Sequence, residues 1–159
     1  MTPATADLCD EHGDRVRVAA PIFRDYGGNT AFGGEIATVK VREDNALVRA
    51  ALEEAGRGRV LVIDGAGSLR CALVGDRLAG LAQINGWSGI IIYGCVRDTD
   101  GIARVPIGVK AINAHPAKSA KTGAGELGIN VSFAGITFVP GHFVYADRDG
   151  IVVTQASLA

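Results

Sequence analysis

Long apolar runs, paired cysteines and basic clusters are all missing from this 159-residue sequence. Its longest apolar run falls far short of the ~20 residues that span a bilayer, and the N-terminal M-T-P-A-T-A-D-L-C-D-E-H has no basic region followed by an apolar core. No membrane address is expected. The three cysteines, Cys9, Cys71 and Cys95, are widely spaced and form no C-x-x-C pair. That argues against a zinc ribbon or a disulfide framework and for a reducing, cytoplasmic setting. Sixteen lysines and arginines face 17 acids, for a formal net charge of -1. With no basic run to match a phosphate backbone, nucleic acid is not expected as a direct ligand. Disorder is excluded too, because 48% hydrophobic content supplies a core for a single domain over residues 1–159.

What the chain does have is glycine, 22 residues of it against five prolines. The glycines punctuate short apolar runs and predict frequent tight turns. Thr5 to His12 reads as one or two helical turns, Ala19 to Asp25 as extended, and Glu35 to Val41 as a strand with period-2 alternation. Asp44 or Asn45 can cap a helix whose Val48, Ala51, Leu52 and Ala55 form an apolar stripe ended by Gly56. Lys118 to Gly125, K-S-A-K-T-G-A-G, reads as a surface connection. Four short β-prone runs follow, Ile129 to Phe133, Ile136 to Val139, Phe143 to Asp147 and Ile151 to Thr154. The expected architecture is α/β, mixed sheets with helices packed on one side in an α/β or β/β/α layering.

The organising stretch runs from Arg59 to Asp98. Two apolar runs of strand length, Val60 to Ile63 and Gly89 to Tyr93, bracket a segment in which Val74, Leu78, Leu81 and Ala82 recur at helical spacing and Asn85-Gly86 supplies a stop. This is a βαβ crossover, so the strands should be parallel and the ligand should sit beyond their carboxyl ends. Gly75, Asp76, Arg97 and Asp98 should converge there.

Those residue types suit a small acid. A helix starting near Val74 or Gly75 would offer the free amides of Gly75, Asp76, Arg77 and Leu78 to a carboxylate or phosphate at its positive dipole end. Arginine at position 97 offers a planar fork for a carboxylate, and Asp98 a hard oxygen ligand for magnesium or manganese. The pattern alone leaves open that Asp76 only caps its own helix and that Arg97-Asp98 is a surface ion pair. Asp64-Gly65-Ala66-Gly67 invites a dinucleotide or S-adenosylmethionine reading, but Arg70 stands where the third glycine of G-x-G-x-x-G belongs, and the signal is weak. His12, His115 and His142 show no metal-ligand spacing. Cys71 and Cys95 read as core thiols, and Trp87 as an anchor.

The spacing from Asp76 through twenty residues to Arg97-Asp98 resembles the RraA-like family, as do V-L-V-I-D-G-A-G-S, A-L-V-G-D, K-S-A-K-T-G-A-G-E and F-V-P-G-H-F-V-Y-A-D-R-D-G-I-V-V. That family groups the regulator of ribonuclease E activity A with class II 4-hydroxy-4-methyl-2-oxoglutarate aldolases. The resemblance covers Ala6 to Val153. It implies a swivelling β/β/α domain, a homotrimer with sites between subunits, and chemistry on pyruvate-derived 2-oxo acids that depends on a divalent cation, Mg2+ or Mn2+. Carried over, the backbone of Gly75 to Leu78 would hold the substrate carboxylate and Arg97 would contact the carboxylate and the carbonyl oxygen. Asp98 would help bind the metal, and Asp76 would orient water or take part in proton transfer. In the family's regulators, ribonuclease E is the partner, and the alternative is a protein that acts by binding alone.

Some aldolases of the family carry an acid three residues beyond the metal-binding aspartate, where this chain has Gly101, with Asp100 one place early. They can also carry a longer C-terminal segment, whereas this chain stops at Ala159. Aldol cleavage needs a base for the C4 hydroxyl. Oxaloacetate decarboxylation needs none and is the firmer expectation.

Overall fold

The computed structural model describes residues 2–159. In the first half lie Thr5–His12 (α1), Arg17–Val18 (β1), Arg24–Asp25 (β2), Phe32–Lys40 (β3), Ala46–Glu53 (α2), Val60–Asp64 (β4) and Ala72–Val74 (β5). Next come Asp76–Ile84 (α3), Gly89–Val96 (β6), Thr99–Ala103 (α4) and Gly108–Ala114 (β7). The chain closes with Glu126–Leu127 (β8), Val131–Phe133 (β9), Ile136–Phe138 (β10), Phe143–Asp147 (β11) and Gly150–Thr154 (β12).

One ten-stranded mixed sheet runs β1-β12-β11-β3-β4-β6-β7-β2, with β5 beside β6 and β8 beside β3, and a separate β9–β10 hairpin pairs with none of these strands. β3, β4, β6 and β7 are mutually parallel, as the crossover reading requires. β3 joins the two halves: Phe32–Glu35 pair antiparallel with β11, and Ile36–Lys40 pair parallel with β4.

Burial on both faces explains why the central strands read as unbroken apolar runs rather than alternating ones. Leu61, Ile63, Ile90 and Ile92 face a core shared with Val48 and Leu52 of α2 and Leu78, Ala79 and Ala82 of α3. Their neighbours Val60, Val62 and Ile91 point the other way, into a core with Phe133, Phe138, Val144 and Ile151. Successive side chains thus serve opposite layers, which is the two-residue period of a strand feeding a β/β/α stack. Each fully buried aliphatic side chain here contributes ~1.5–3 kcal/mol.

Several elements differ in extent from the sequence reading: the strand read as Gly89 to Tyr93 runs on to Val96, and that read as Ile129 to Phe133 begins at Val131. Ala19 to Asp25 is extended over only Arg24–Asp25. The strand expected from Glu35 begins at Phe32. The helix expected to reach Ala55 ends at Glu53. Val74, assigned to the helix face, lies on β5, and α3 begins at Asp76. Cys71 and Cys95 are buried free thiols, and burial pushes the pKa of both up, as expected for core residues. Among the described residues no helix is long and apolar enough to cross a membrane.

Candidate active site

β5 is the device that brings the site together. β4 pairs with β6 only as far as Tyr93, and the chain then detours through Gly65–Cys71. It returns as β5 to pair with Cys95 and Val96, while β7 holds those same residues along the other edge. β5 therefore continues the track of β4 beyond its end and delivers Gly75 beside Arg97. The Arg97 N–H donates to Val74 O at 3.0 Å, locking the two strand ends together.

α3 starts at once from this anchor. Its first ladder bond runs from Ala79 N–H to Gly75 O at 3.0 Å, so the amides of Asp76, Arg77 and Leu78 precede the ladder. Gly75, the N-cap residue, makes no side-chain cap bond, and neither does any other residue at this terminus. The positive end of the helix is left for something else. Gly75 is tightly covered: a Cβ there would stand 3.0 Å from Asp98 Oδ2 and 3.5 Å from Arg97 Cγ. The Asp98 carboxylate and the Arg97 side chain thus lie directly over the backbone that leads into the helix.

Asp98 holds a left-handed backbone, φ 57° and ψ 45°, at the N-cap of α4. Aspartate tolerates this region better than most residues, and strain of this kind collects where side-chain aim matters more than backbone comfort. Its own C=O accepts from Ile102 N–H at 2.9 Å, closing the α4 turn and presenting Gly101 to Asp76. A Cβ at position 101 would come within 2.6 Å of Asp76 Oδ2. The absence of a side chain at Gly101 is therefore what gives the Asp76 carboxylate its place.

Gly75, Asp76, Arg77, Leu78, Arg97 and Asp98, all named from the sequence, line a single cavity of about 620 Å3. Leu78 contributes through its backbone, since its side chain is in the helix-side core. The cavity also takes in residues that sequence reasoning passed over: Asn45, Arg49, Lys118, Ser119 and Lys121. The K-S-A-K-T-G-A-G stretch is thus a wall of the cavity at its Lys118–Lys121 end rather than a mere connection. A signal for it was present, because it follows β7, whose carboxyl end lies at the same sheet edge as that of β6. Five cationic side chains, Arg49, Arg77, Arg97, Lys118 and Lys121, face two carboxylates, Asp76 and Asp98. That balance favours an anionic ligand.

The turn before α2 ties down the Ser68–Arg70 loop and β5. The Glu43 carboxylate accepts from Arg70 Nε and Nη2, both at 2.8 Å, and from Ser68 Oγ at 2.6 Å. Arg70 and then Ser68 lower its pKa from 4.5 to about 2. Asn45 donates from Nδ2 to Leu73 O at 3.1 Å, so it steadies β5 instead of capping α2, and Asp44 takes the Ala46 N–H at 3.1 Å.

Among the described residues there is no group of three or more His, Cys, Asp or Glu that could hold a metal ion, and the three histidines stay out of the cavity. A cage for zinc or calcium is therefore not built here. A hard cation that keeps most of its waters and takes one or two carboxylates fits the donors at hand, Asp98 first and Asp76 second. The Asp64-Gly65-Ala66-Gly67 loop does not line the cavity, and the Asp64 carboxylate is turned back onto Ala66 N–H at 2.9 Å.

Fold and site together define a class: three-layer β/β/α proteins that set a helix tip against an arginine-aspartate pair at the carboxyl edge of a parallel sheet. Within that class the chain belongs to the RraA-like family, whose model, described as Aldolase/RraA, matches residues 5–153. A protein of Aromatoleum aromaticum named "Putative 4-hydroxy-4-methyl-2-oxoglutarate aldolase" is 58% identical over 154 residues, 97% of each chain. The structure of the RNA-processing inhibitor RraA from Thermus thermophilis matches with a TM-score of 0.96 at 43% identity, covering 100% of this chain and 96% of that one. A Geobacillus kaustophilus structure described as S-adenosylmethionine: 2-dimethylmenaquinone methyltransferase also gives 0.96, at 51% identity and 98% and 97% coverage.

Proposed function

We propose that this protein is a divalent-metal-dependent lyase for pyruvate-derived 2-oxo acids, cleaving 4-hydroxy-4-methyl-2-oxoglutarate to pyruvate and decarboxylating oxaloacetate through the same enolate. The observation that carries the reading is the meeting of the α3 amides, Arg97 and Asp98 at one cationic cavity. The name carried by the Aromatoleum relative supports the aldolase half.

In this reading the amides of Asp76, Arg77 and Leu78 hold the C1 carboxylate at the helix tip, and the Arg97 guanidinium reaches that carboxylate and the C2 oxygen. Breaking the bond between C3 and C4 leaves its electron pair on C3, delocalised onto the C2 oxygen as a pyruvate enolate. Arg97 meets that growing negative charge with a fixed positive one. Asp98, and Asp76 beside it, would hold Mg2+ or Mn2+, which when bound supplies a second positive charge for the enolate oxygen. Asp76, seated against Gly101, orients the water that returns a proton to C3. Decarboxylation loses CO2 with no base, while the aldol reaction must also remove the C4 hydroxyl proton, so decarboxylation is the faster of the two. The free thiols support a cytoplasmic setting, and the family resemblance supports a homotrimer.

Pyruvate formation from either acid with Mg2+, corrected for the protein-free rate, tests this. Activity that EDTA and Asp98→Ala abolish is the expected result, and turnover indifferent to both overturns it. A second reading, inhibition of ribonuclease E, is favoured by the Thermus likeness and is compatible with the first, since one fold can carry both a site and a docking surface. Unimpaired ribonuclease E cleavage in the presence of excess protein would remove it.

A further inference from the structure

The cationic wall is held at its Lys118 end by a parallel bridge to Ala72 of β5, and beyond Ala120 it has little of its own to hold it. Ser119 is buried, but residues 120–128 are all exposed. Ala120 is pinned by two backbone bonds to the turn before α2, accepting from Asn45 N–H at 3.1 Å and donating to Glu43 O at 3.0 Å. From Lys121 to Gly125, among the described residues, the one side chain outside the segment that bonds it is Asp44. This carboxylate is 3% exposed. It accepts from the Thr122 hydroxyl, from Thr122 N–H at 2.7 Å and from Gly123 N–H at 3.4 Å, while its other tie is Ala46 N–H at the start of α2.

We propose that Asp44 is a positioning residue for the substrate site: it clamps the Ala120–Gly123 segment against the start of α2 and so fixes Lys121, which lines the cavity. The inference rests on the oxo-acid reading for its substrate and deepens it, assigning to a residue outside the cavity lining control over how tightly the acid is held. A carboxylate suits this task better than an amide. It accepts on every lone pair, so all of its neighbours can be donors, and charge-assisted bonds are the strong ones. An asparagine would turn an NH2 group toward backbone N–H groups. The Thr122 hydroxyl, with the backbone amides after it, lowers the Asp44 pKa to about 2. The clamp is therefore closed throughout the neutral range.

Because the clamp governs the Lys121 end of the wall and leaves the α3 amides, Arg97 and Asp98 in place, its loss should separate binding from chemistry. Asp44→Asn, Thr122→Val and Thr122→Ser are compared by amide hydrogen exchange over residues 118–125 and by kcat and KM for oxaloacetate with Mg2+. In Asp44→Asn we expect exchange of the segment to accelerate and KM to rise about tenfold while kcat stays within about threefold, a split that marks lost uniform binding. Thr122→Val should follow it in part, and Thr122→Ser, which keeps the hydroxyl, should behave as the wild type. A segment that stays protected in Asp44→Asn overturns the clamp. So does a loosened segment with unchanged KM, since Asp44 would then be a structural tie with no bearing on the site. Should the wild-type chain turn over no oxo acid, the oxo-acid reading fails on its own, and affinity for oxalate with Mg2+ decides the clamp: weaker binding in Asp44→Asn supports it, and equal binding, or none in the wild type, overturns it.

Discussion

The two ends of the β4–β6 pair are built from similar residue types and put to opposite use. At the amino ends, the Arg59 guanidinium lies 4.7 Å from the Trp87 ring centroid and donates to Ala55 O at 2.9 Å and Gly56 O at 3.0 Å, while Trp87 Nε1 donates to Glu54 O at 3.1 Å. A cavity of about 340 Å3 adjoins this end, yet arginine, indole and the carbonyls that follow α2 are already bonded to one another. At the carboxyl ends, the corresponding arginine, Arg97, has among the described residues a single long side-chain bond, to Pro116 O at 3.5 Å. The helix amides beside it are uncapped by any side chain. Donors that satisfy one another stabilise a fold, and donors left facing a cavity are available to a ligand. The difference in pairing, more than residue type or cavity shape, marks which end is the candidate site.

Mutations at the two ends should therefore separate stability from activity. The largest effect belongs to the amino end: Trp87→Ala should cost ~3–5 kcal/mol of stability by urea unfolding, with kcat/KM of the remaining folded protein within about twofold of wild type. A loss of activity that outran the loss of folded protein would break the distinction. Next comes Arg97→Ala, expected to lower kcat/KM for oxaloacetate by about a hundred- to a thousandfold with an unfolding midpoint near that of wild type. Smaller is Gly75→Ala. Its φ of -119° is open to alanine, so the fold should survive, but the new Cβ meets Asp98 Oδ2 at 3.0 Å. Displacing that carboxylate should cost roughly tenfold in kcat/KM, and unchanged kinetics would mean that Asp98 is not held in one place.

Last comes a pH effect on stability from the turn before α2. Glu43 and Asp44 have folded pKa values lowered to about 2 from 4.5 and 3.8. A depressed folded value means that the stabilisation is fully present above the unfolded values and is lost as pH falls through the interval down to about 2. Unfolding measured as a function of pH should be flat in this respect above pH 4.5 and should steepen below it, less so in Asp44→Asn.

How much of this was legible in the chain follows the same division. The crossover from Val60 to Tyr93 could be read because burial on both faces makes the strands continuously apolar, and the convergence of Gly75, Asp76, Arg97 and Asp98 followed from the topology alone. β5 could not be read: Ala72–Val74 is three residues long, and Val74 falls in register with the helix after it, so local pattern merges the two. The cavity wall at Lys118–Lys121 was read as solvent-facing because polar, glycine-rich composition describes only a surface. What ties the Lys121 end of that wall is Asp44, 78 residues away in sequence from Thr122. Asp44 itself read as a helix cap, which its bond to Ala46 N–H makes half of the truth. A pairing between loops that distant leaves no periodic trace.

The central claim is spatial, and a crystal of the protein grown with Mn2+ and oxalate, the flat dianion that imitates pyruvate enolate, tests it directly. The account predicts an anomalous peak at the Asp98 carboxylate, with oxalate between that ion, the Arg97 guanidinium and the amides of Asp76 to Leu78. Manganese and oxalate bound elsewhere, with the tip of α3 and Arg97 untouched, would contradict it.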